Sequence, residues 1–126
     1  MKPKSISGVV QYVADISKTA DFYEALGFRL GDRSETYLKV YVNWFWMEFV
    51  QIDSENKSEF MAEAQAGQKG AGQFVGVNVD GVDDYYAQLV EKGFKPSSEP
   101  RDWPYGRREF VIRDPDGYKL VIFEKK

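Results

Sequence analysis

The sequence predicts an α+β fold made of two tandem β-α-β-β-β units. Three observations support this prediction: the first half of the chain alternates strand-like and helix-like patterns in that order, the same order restarts after a polar, glycine-rich segment, and the two halves agree in register. With 126 residues, the chain is predicted to form a single domain over 1–126. Its predicted parts are a first unit at 5–52, a connector at 53–72 and a second unit at 73–126.

The first unit begins with a strand and a capped helix. Residues 6–13, ISGVVQYV, are rich in β-branched and aromatic side chains, which are typical of strands. Asp15 or Ser17 can cap a helix that runs to about Leu26, and Gly27 closes its end. The rest of the unit is predicted as a strand at 28–30, a turn at 31–34, and two longer strands at 36–42 and 44–52 that meet at Asn43.

The second unit repeats the pattern after the connector, in which a short helix is predicted at 58–66. The unit is predicted as a strand at 72–79, a helix at 82–93 ending at Gly93, a strand at 94–96, and a hairpin with strands at 108–114 and 118–124. The hairpin turn has the sequence Asp-Pro-Asp-Gly, in which proline fixes φ and glycine allows a positive φ.

The two halves match at a spacing of 66 residues. The matching pairs are Val9 with Val75, Val13 with Val79, Ile16 with Val82, Gly27 with Gly93 and Phe28 with Phe94. A strand, a helix and the Gly-Phe dipeptide that follows the helix all keep this register. The sequence therefore predicts an internal duplication of one unit.

Composition excludes several functional classes. The net charge is −3 and no run of Lys or Arg is long enough to follow a phosphate backbone, so nucleic acid is not an expected partner. No apolar stretch approaches the roughly 20 residues that span a bilayer, and the N-terminus lacks a signal-peptide pattern. We therefore expect no membrane association and a cytoplasmic location. With 0 Cys and 0 His, the chain has no disulfide, no thiolate or imidazole metal ligand and no histidine base.

The stretch NWFWMEFV at 43–50 is apolar on both faces of a strand. Trp44 and Trp46 fall on one face together with Glu48. The other face carries Phe45, Met47 and Phe49, which already provide a core. A second apolar face needs a second partner, which can be a bound ligand, another chain or more core.

Three motifs resemble one known family. They are V-x-D-I-x-x-x-x-x-F-Y at 13–23, Leu26-Gly27-Phe28, and YGRREFVIRDPDGYKLVIFE at 105–124. In a doubled β-α-β-β-β chain, they resemble the vicinal oxygen chelate superfamily of glyoxalases, extradiol dioxygenases and bleomycin resistance proteins, and are closest to the bleomycin resistance branch. The resemblance implies that each unit curls into a partly open mixed β-sheet, that the two sheets surround one cleft, and that the protein is a homodimer.

The resemblance also locates the metal site of the family's enzymes. Their four ligands come from the first and fourth strands of each unit, which here correspond to Gly8, Glu48, Phe74 and Val121. Of these four residues, only glutamate can donate to a metal, and such sites need three or four donors. We therefore predict no metal, no cofactor and no catalytic residue.

The predicted cleft is aromatic and carries few charges. Strand periodicity and the resemblance together select its ligand-binding residues, which are Trp44, Trp46, Glu48, Phe74, Asn78, Trp103, Tyr105, Val121 and Phe123. Glu48 can pair with Lys119 or with a cationic group of the ligand. We predict that Arg107, Arg108 and Arg113 form surface or intersubunit salt bridges.

The leading functional hypothesis is a metal-free small-molecule binding protein of the bleomycin resistance type, which sequesters an aromatic or cationic compound and is not an enzyme. One alternative is a glyoxalase-like lyase or isomerase or a dioxygenase of the same superfamily, although a dioxygenase iron site normally uses histidines. Another is a non-enzymatic protein-interaction module in which a partner covers the tryptophans.

Overall fold

The computed structural model describes residues 1–53, 55, 59–66 and 69–126. The chain divides into two compact units, Met1–Gln68 and Lys69–Lys126. Each unit contains one four-stranded mixed sheet with a helix packed on it. The predicted α+β class is confirmed.

The first unit has the predicted order of elements, and the short helix predicted in the connector follows its last strand. Its elements are β1 (Val9–Val13), α1 (Ile16–Ala25), β2 (Arg29–Arg33), β3 (Tyr37–Val42), β4 (Phe45–Gln51) and α2 (Glu59–Ala66). The strand order in the sheet is β1-β4-β3-β2, in which β1 and β4 are parallel and the other pairs antiparallel. The helix predicted at 58–66 is confirmed from Glu59 onward, whereas residue 58 and part of the predicted connector lie outside the described residues.

The second unit has the same topology. Its elements are β5 (Val75–Asn78), α3 (Val82–Glu91), β6 (Arg101–Trp103), β7 (Arg107–Arg113) and β8 (Lys119–Lys125). The strand order is β5-β8-β7-β6, with β5 and β8 parallel. The helices in the described ranges have only 8 to 10 residues each, so none of them could cross a bilayer.

The predicted helix ends are confirmed by their hydrogen bonds. The Asp15 carboxylate accepts from the backbone N–H groups of Ser17 at 2.9 Å and Lys18 at 3.2 Å, which is a side-chain N-cap. At the other end Gly27 has a φ of 95°, a conformation that favours glycine. The N–H of Phe28 then donates to the Tyr23 carbonyl at 3.0 Å.

The second unit repeats this helix end 66 residues later. Gly93 has a φ of 94°, and the N–H of Phe94 donates to the Leu89 carbonyl at 3.0 Å. The strand register repeats as well, because Val9 pairs with Met47 in the first sheet and Val75 with Leu120 in the second. This agreement supports the predicted duplication.

Each sheet packs one face against its helix, and that face forms the core of the unit. In the first unit Phe49 is fully buried, with its ring centroid 4.8 Å from that of Tyr23 in α1. In the second unit Phe110 is fully buried, with its centroid 5.2 Å from that of Tyr86 in α3. We call the opposite face of each sheet its open face.

Two local predictions are wrong. Residues 31–33 do not form a turn but belong to β2, whose pairing with β3 shifts register between Leu30 and Arg33. Residues 94–96 do not form a strand, because the N–H of Phe94 is used in the helix end and Pro96 has no N–H. The strand next to β7 is instead β6, which lies between the segments predicted as strands at 94–96 and 108–114.

Candidate functional site

The open face of the first sheet carries the aromatic cluster predicted from NWFWMEFV. In β4 Met47 and Phe49 are buried in the core, whereas Trp46 and Glu48 point to the open face and are partly exposed. The register of β3 with β4 places Tyr41 beside Trp46 and Lys39 beside Glu48 on the same face. The predicted alternation of β4 is therefore confirmed over these four residues.

Trp44 lies outside the strand in which it was predicted. It occupies a two-residue hairpin turn with Asn43, whose φ of 58° is left-handed and is tolerated by asparagine. Its side chain is 79% exposed, which is unusual for tryptophan. β4 begins one residue later than predicted, because the turn requires both residues between the paired Val42 and Phe45.

A groove of about 340 Å³ opens on this face. It is lined by Gly31, Asp32, Lys39, Tyr41, Trp44 and Trp46. Three of these side chains are aromatic, and the Lys39 ammonium lies 4.6 Å from the centre of the Trp46 ring. Such a distance is within the range of a cation–π interaction. The groove therefore combines aromatic surface with one acidic and one basic group.

Glycine at position 8 allows Trp46 to lie where it does. A Cβ atom at Gly8 would be 2.5 Å from Cε3 of Trp46, much closer than carbon atoms approach without a shift. Gly8 is also the first-strand metal place of the family. The indole of Trp46 thus fills the space that a metal-ligating side chain at residue 8 would need.

Glu48 has a partner that the sequence analysis missed. The hydroxyl of Tyr37 in β3 donates to Oε1 of Glu48 at 2.5 Å. Burial, the hydrogen bond to Glu48 and the nearby negative charges raise the pKa of Tyr37 from 10.0 to about 12, since each of them disfavours the phenolate. The alternation of β3, which places Tyr37 on the face of Lys39 and Tyr41, was the signal that could have identified it.

The donor set does not fit the metal that enzymes of the family hold. Of the four metal places, Gly8, Phe74 and Val121 have no donor side chain, and the carboxylate of Glu48 accepts from Tyr37. Within the described part of the chain, no three His, Cys, Asp or Glu side chains are grouped so that they could hold a metal ion.

The other predicted site residues belong to the second unit. Val121 and Phe123 alternate with core residues along β8 and are buried, each 7% exposed. The register of β5 with β8 puts Asn78 beside Phe123, and Phe74, which precedes β5, is exposed. Trp103 in β6 lies nearly parallel to Tyr105, with ring centroids 5.9 Å apart.

The structure therefore groups the predicted residues within each unit. Trp44, Trp46 and Glu48 lie together in the first unit, and the remaining six lie in the second. That both groups line one cleft stays a prediction, as does the pairing of Glu48 with Lys119. In the second unit the Lys119 ammonium lies 5.9 Å from the centre of the Phe74 ring.

The arginines of β7 have three different environments. Arg108 forms the predicted surface salt bridges, to Asp83 at 2.9 Å and to Asp102 at 3.3 Å. The hydrogen bond from Arg108 lowers the pKa of Asp83. Arg113 instead donates to a backbone carbonyl, that of Gly117, at 2.8 Å. The guanidinium of Arg107 lies over the ring of Phe123, 3.9 Å from its centre.

Comparison with known families agrees with this fold. The model of the Glyoxalase/Bleomycin resistance protein/Dioxygenase superfamily matches residues 5–122, and the chain belongs to that superfamily. The predicted superfamily is confirmed. A comparison with curated protein sequences gave no match.

Solved structures with the same fold come from several bacteria. A virulence protein from Salmonella typhimurium is 23% identical with a TM-score of 0.75, and the match covers 100% of both chains. A glyoxalase/bleomycin resistance protein/dioxygenase from Nocardioides is 19% identical with a TM-score of 0.75, over 99% of this chain and 86% of the other. Lactoylglutathione lyase from Agrobacterium tumefaciens is 17% identical with a TM-score of 0.72, over 98% of this chain and 95% of the other. At these identities the likeness concerns the fold.

Proposed function

We propose that the protein is a metal-free binding protein of the bleomycin resistance type, which sequesters a flat aromatic compound in the groove of its first unit. The observation that carries this proposal is the aromatic surface of the groove, formed by the exposed Trp44 and the partly exposed Tyr41 and Trp46. Exposed aromatic clusters of this kind mark binding sites, because burying them against a ligand is favourable.

The charges of the groove favour one kind of ligand over another. A cation that stacked on Trp46 would have to compete with the ammonium of Lys39, which already lies over that ring. A flat aromatic ligand can insert beside the exposed Trp44 without displacing this lysine. If the ligand carries a cationic substituent, Asp32 provides the carboxylate for it at the rim of the groove.

Sequestration requires binding alone, so the missing metal donors do not count against it. A binder protects its host by mass action when it outnumbers the ligand and its dissociation constant is low. The glyoxalase-type alternative has less support, because one carboxylate does not make a metal site. The homodimer implied by the family stays part of the proposal, and sedimentation velocity of the purified protein tests it.

Tryptophan fluorescence titration tests the proposal, because the groove carries its own reporters. We expect saturable quenching by bleomycin or by another flat aromatic compound in a panel that contains neutral and cationic members. Quenching is expected to be lost in Trp46→Ala. The absence of any saturable response across the panel would contradict the proposal.

Trp103→Ala is the matched comparison, since it removes the tryptophan of the second unit. Retained binding in Trp103→Ala places the ligand in the groove alone. Lost binding in both variants extends the site to β6, as the sequence analysis predicted for Trp103. A raised melting temperature of the wild-type protein in the presence of the ligand provides a second readout that does not depend on tryptophan.

A further inference from the structure

The open face of the second sheet has a strong positive charge, although the chain as a whole is acidic. Strand alternation and register place five cationic side chains on this face but only one acidic side chain, Glu109. The five cations are Arg101 in β6, Arg107 and Arg113 in β7, and Lys119 and Lys125 in β8. None of the five forms an ion pair with a carboxylate of the described residues.

Two of these cations are held in place by aromatic rings. The guanidinium of Arg101 lies 3.8 Å from the centre of the Trp103 ring, and that of Arg107 lies 3.9 Å from the centre of the Phe123 ring. A guanidinium that lies over a ring keeps its N–H donors in its own plane, where they can bind a second group. The rings therefore orient Arg101 and Arg107 without using up their hydrogen-bond donors.

The one carboxylate on this face can offset only one of the five positive charges. Glu109 is the cross-strand neighbour of Arg101, but its Oε1 accepts from the hydroxyl of Tyr105 at 2.5 Å. Arg107 is the cross-strand neighbour of Trp103, whose ring is stacked on that of Tyr105, so both arginines lie at the end of the sheet that carries Tyr105. The ring of Tyr105 is 62% exposed beside them.

We propose that Arg101, Arg107 and Tyr105, on the open face of the second sheet, form a binding site for a flat aromatic anion. The two guanidinium groups would hold a carboxylate, sulfonate or phosphate group through charge-assisted hydrogen bonds, and the exposed ring of Tyr105 would stack on the aromatic part. Binding such a ligand reduces the repulsion among the five cations, which the single carboxylate of Glu109 does not balance.

A matched pair of fluorescent probes tests this site. The anion 8-anilinonaphthalene-1-sulfonate and the neutral N-phenyl-1-naphthylamine share their ring system and differ in the sulfonate. We expect the anion to bind about tenfold more tightly, which is the gain typical of a charge-assisted contact. Its affinity is expected to fall as ionic strength rises. Equal affinities for the two probes would overturn the proposal.

Variants locate the probe. Arg101→Gln and Arg107→Gln are each expected to weaken binding of the sulfonate about tenfold, and Arg107→Lys is expected to lie between Arg107→Gln and the wild type because it keeps the charge but loses the planar donors. Arg113→Gln is the control, since it removes the same charge from the same face at the other end of β7. Because Arg101 is exposed, Arg101→Gln is expected to fold normally, and circular dichroism checks this.

Three results would overturn the assignment. Equal losses of probe affinity in Arg113→Gln and Arg107→Gln would mean that the probe responds to the total positive charge of the face and not to a contact with Arg107. Loss of the probe in Trp46→Ala, with full binding in Arg101→Gln and Arg107→Gln, would place it in the groove of the first unit. Displacement by oligothymidylate at lower concentration than by monomeric aromatic anions would assign the face to single-stranded nucleic acid.

Discussion

The two units share a backbone but differ on their open faces. Their helices begin and end at equivalent residues, Ile16–Ala25 and Val82–Glu91, and their sheets have the same strand order. The parallel registers agree as well, with Val10 beside Glu48 in one unit and Gly76 beside Val121 in the other. The glutamate of the first unit is therefore replaced by valine at the equivalent position of the second.

The charges on the two open faces differ more than the folds do. The first face balances two cations, Arg29 and Lys39, against the carboxylates of Asp32 and Glu48. The second has five cations and one carboxylate. The core face of each sheet must match its helix and is constrained by packing, whereas the open face is free to change. The duplicated scaffold thus supports two different surfaces.

The largest expected effect is on the core of the first unit. Phe49→Ala removes a fully buried ring that packs on Tyr23, and such changes cost about 3–5 kcal/mol. Phe45 was predicted to be core but is 40% exposed, so Phe45→Ala is expected to cost less than about 1 kcal/mol. Urea unfolding measures both. Similar losses in the free energy of unfolding for the two variants would show that the burial of a side chain in β4 does not determine its contribution to stability.

The next effect in size compares the stability change caused by one Gly→Ala substitution in each unit. Gly8→Ala places a Cβ at 2.5 Å from the Trp46 ring, and we expect it to destabilise the protein by about 1–3 kcal/mol and to weaken ligand quenching. Gly76→Ala is the comparison in the second unit, where the nearest atom of Phe123 would lie at an ordinary 3.5 Å. It is expected to change stability by less than about 0.5 kcal/mol. Equal losses of stability in Gly8→Ala and Gly76→Ala would show that the two positions do not differ in the space available for a Cβ atom.

The helix N-termini provide a third contrast. Asp15→Ala removes the side-chain cap of α1 and is expected to cost about 1 kcal/mol. The equivalent residue in α3 is Gly81, which provides no side-chain cap and has a φ of 70°. Asp15→Asn, which keeps an acceptor oxygen, is the control and is expected to retain most of the stability. A loss in Asp15→Asn as large as in Asp15→Ala would assign the effect to charge instead.

The smallest expected effect is the pH dependence that Tyr37 provides. Burial and Glu48 raise its pKa from 10.0 to about 12, so the folded state keeps this proton where the unfolded state loses it. The stabilisation is present below pH 10.0 and is lost as the pH rises toward about 12. Unfolding measured across this range in the wild type and in Tyr37→Phe checks the sign, and an unchanged slope in Tyr37→Phe would contradict it.

Periodicity predicted much of the fold because the required signals are local. The apolar faces of α1 and α3, the glycines at 27 and 93 and the alternation of β4 are each visible within a few residues. The elements that were missed depend on partners far away in the chain. Strand β6 has only three residues, flanked by prolines, and exists through its pairing with β7.

The candidate site also combines features that local patterns predicted with features that depend on distant partners. The sequence alone determined that Trp46 and Glu48 share a face, that three of the four metal places have no donor, and that the chain has the fold of its superfamily. Only the tertiary structure decided that Tyr37 is the partner of Glu48 and that Gly8 makes room for an indole. It also decided that Arg101 and Arg107 share a face on which neither forms an ion pair with a carboxylate of the described residues. The physical reason is that strand pairing brings together side chains from distant segments, and their distances follow from the register.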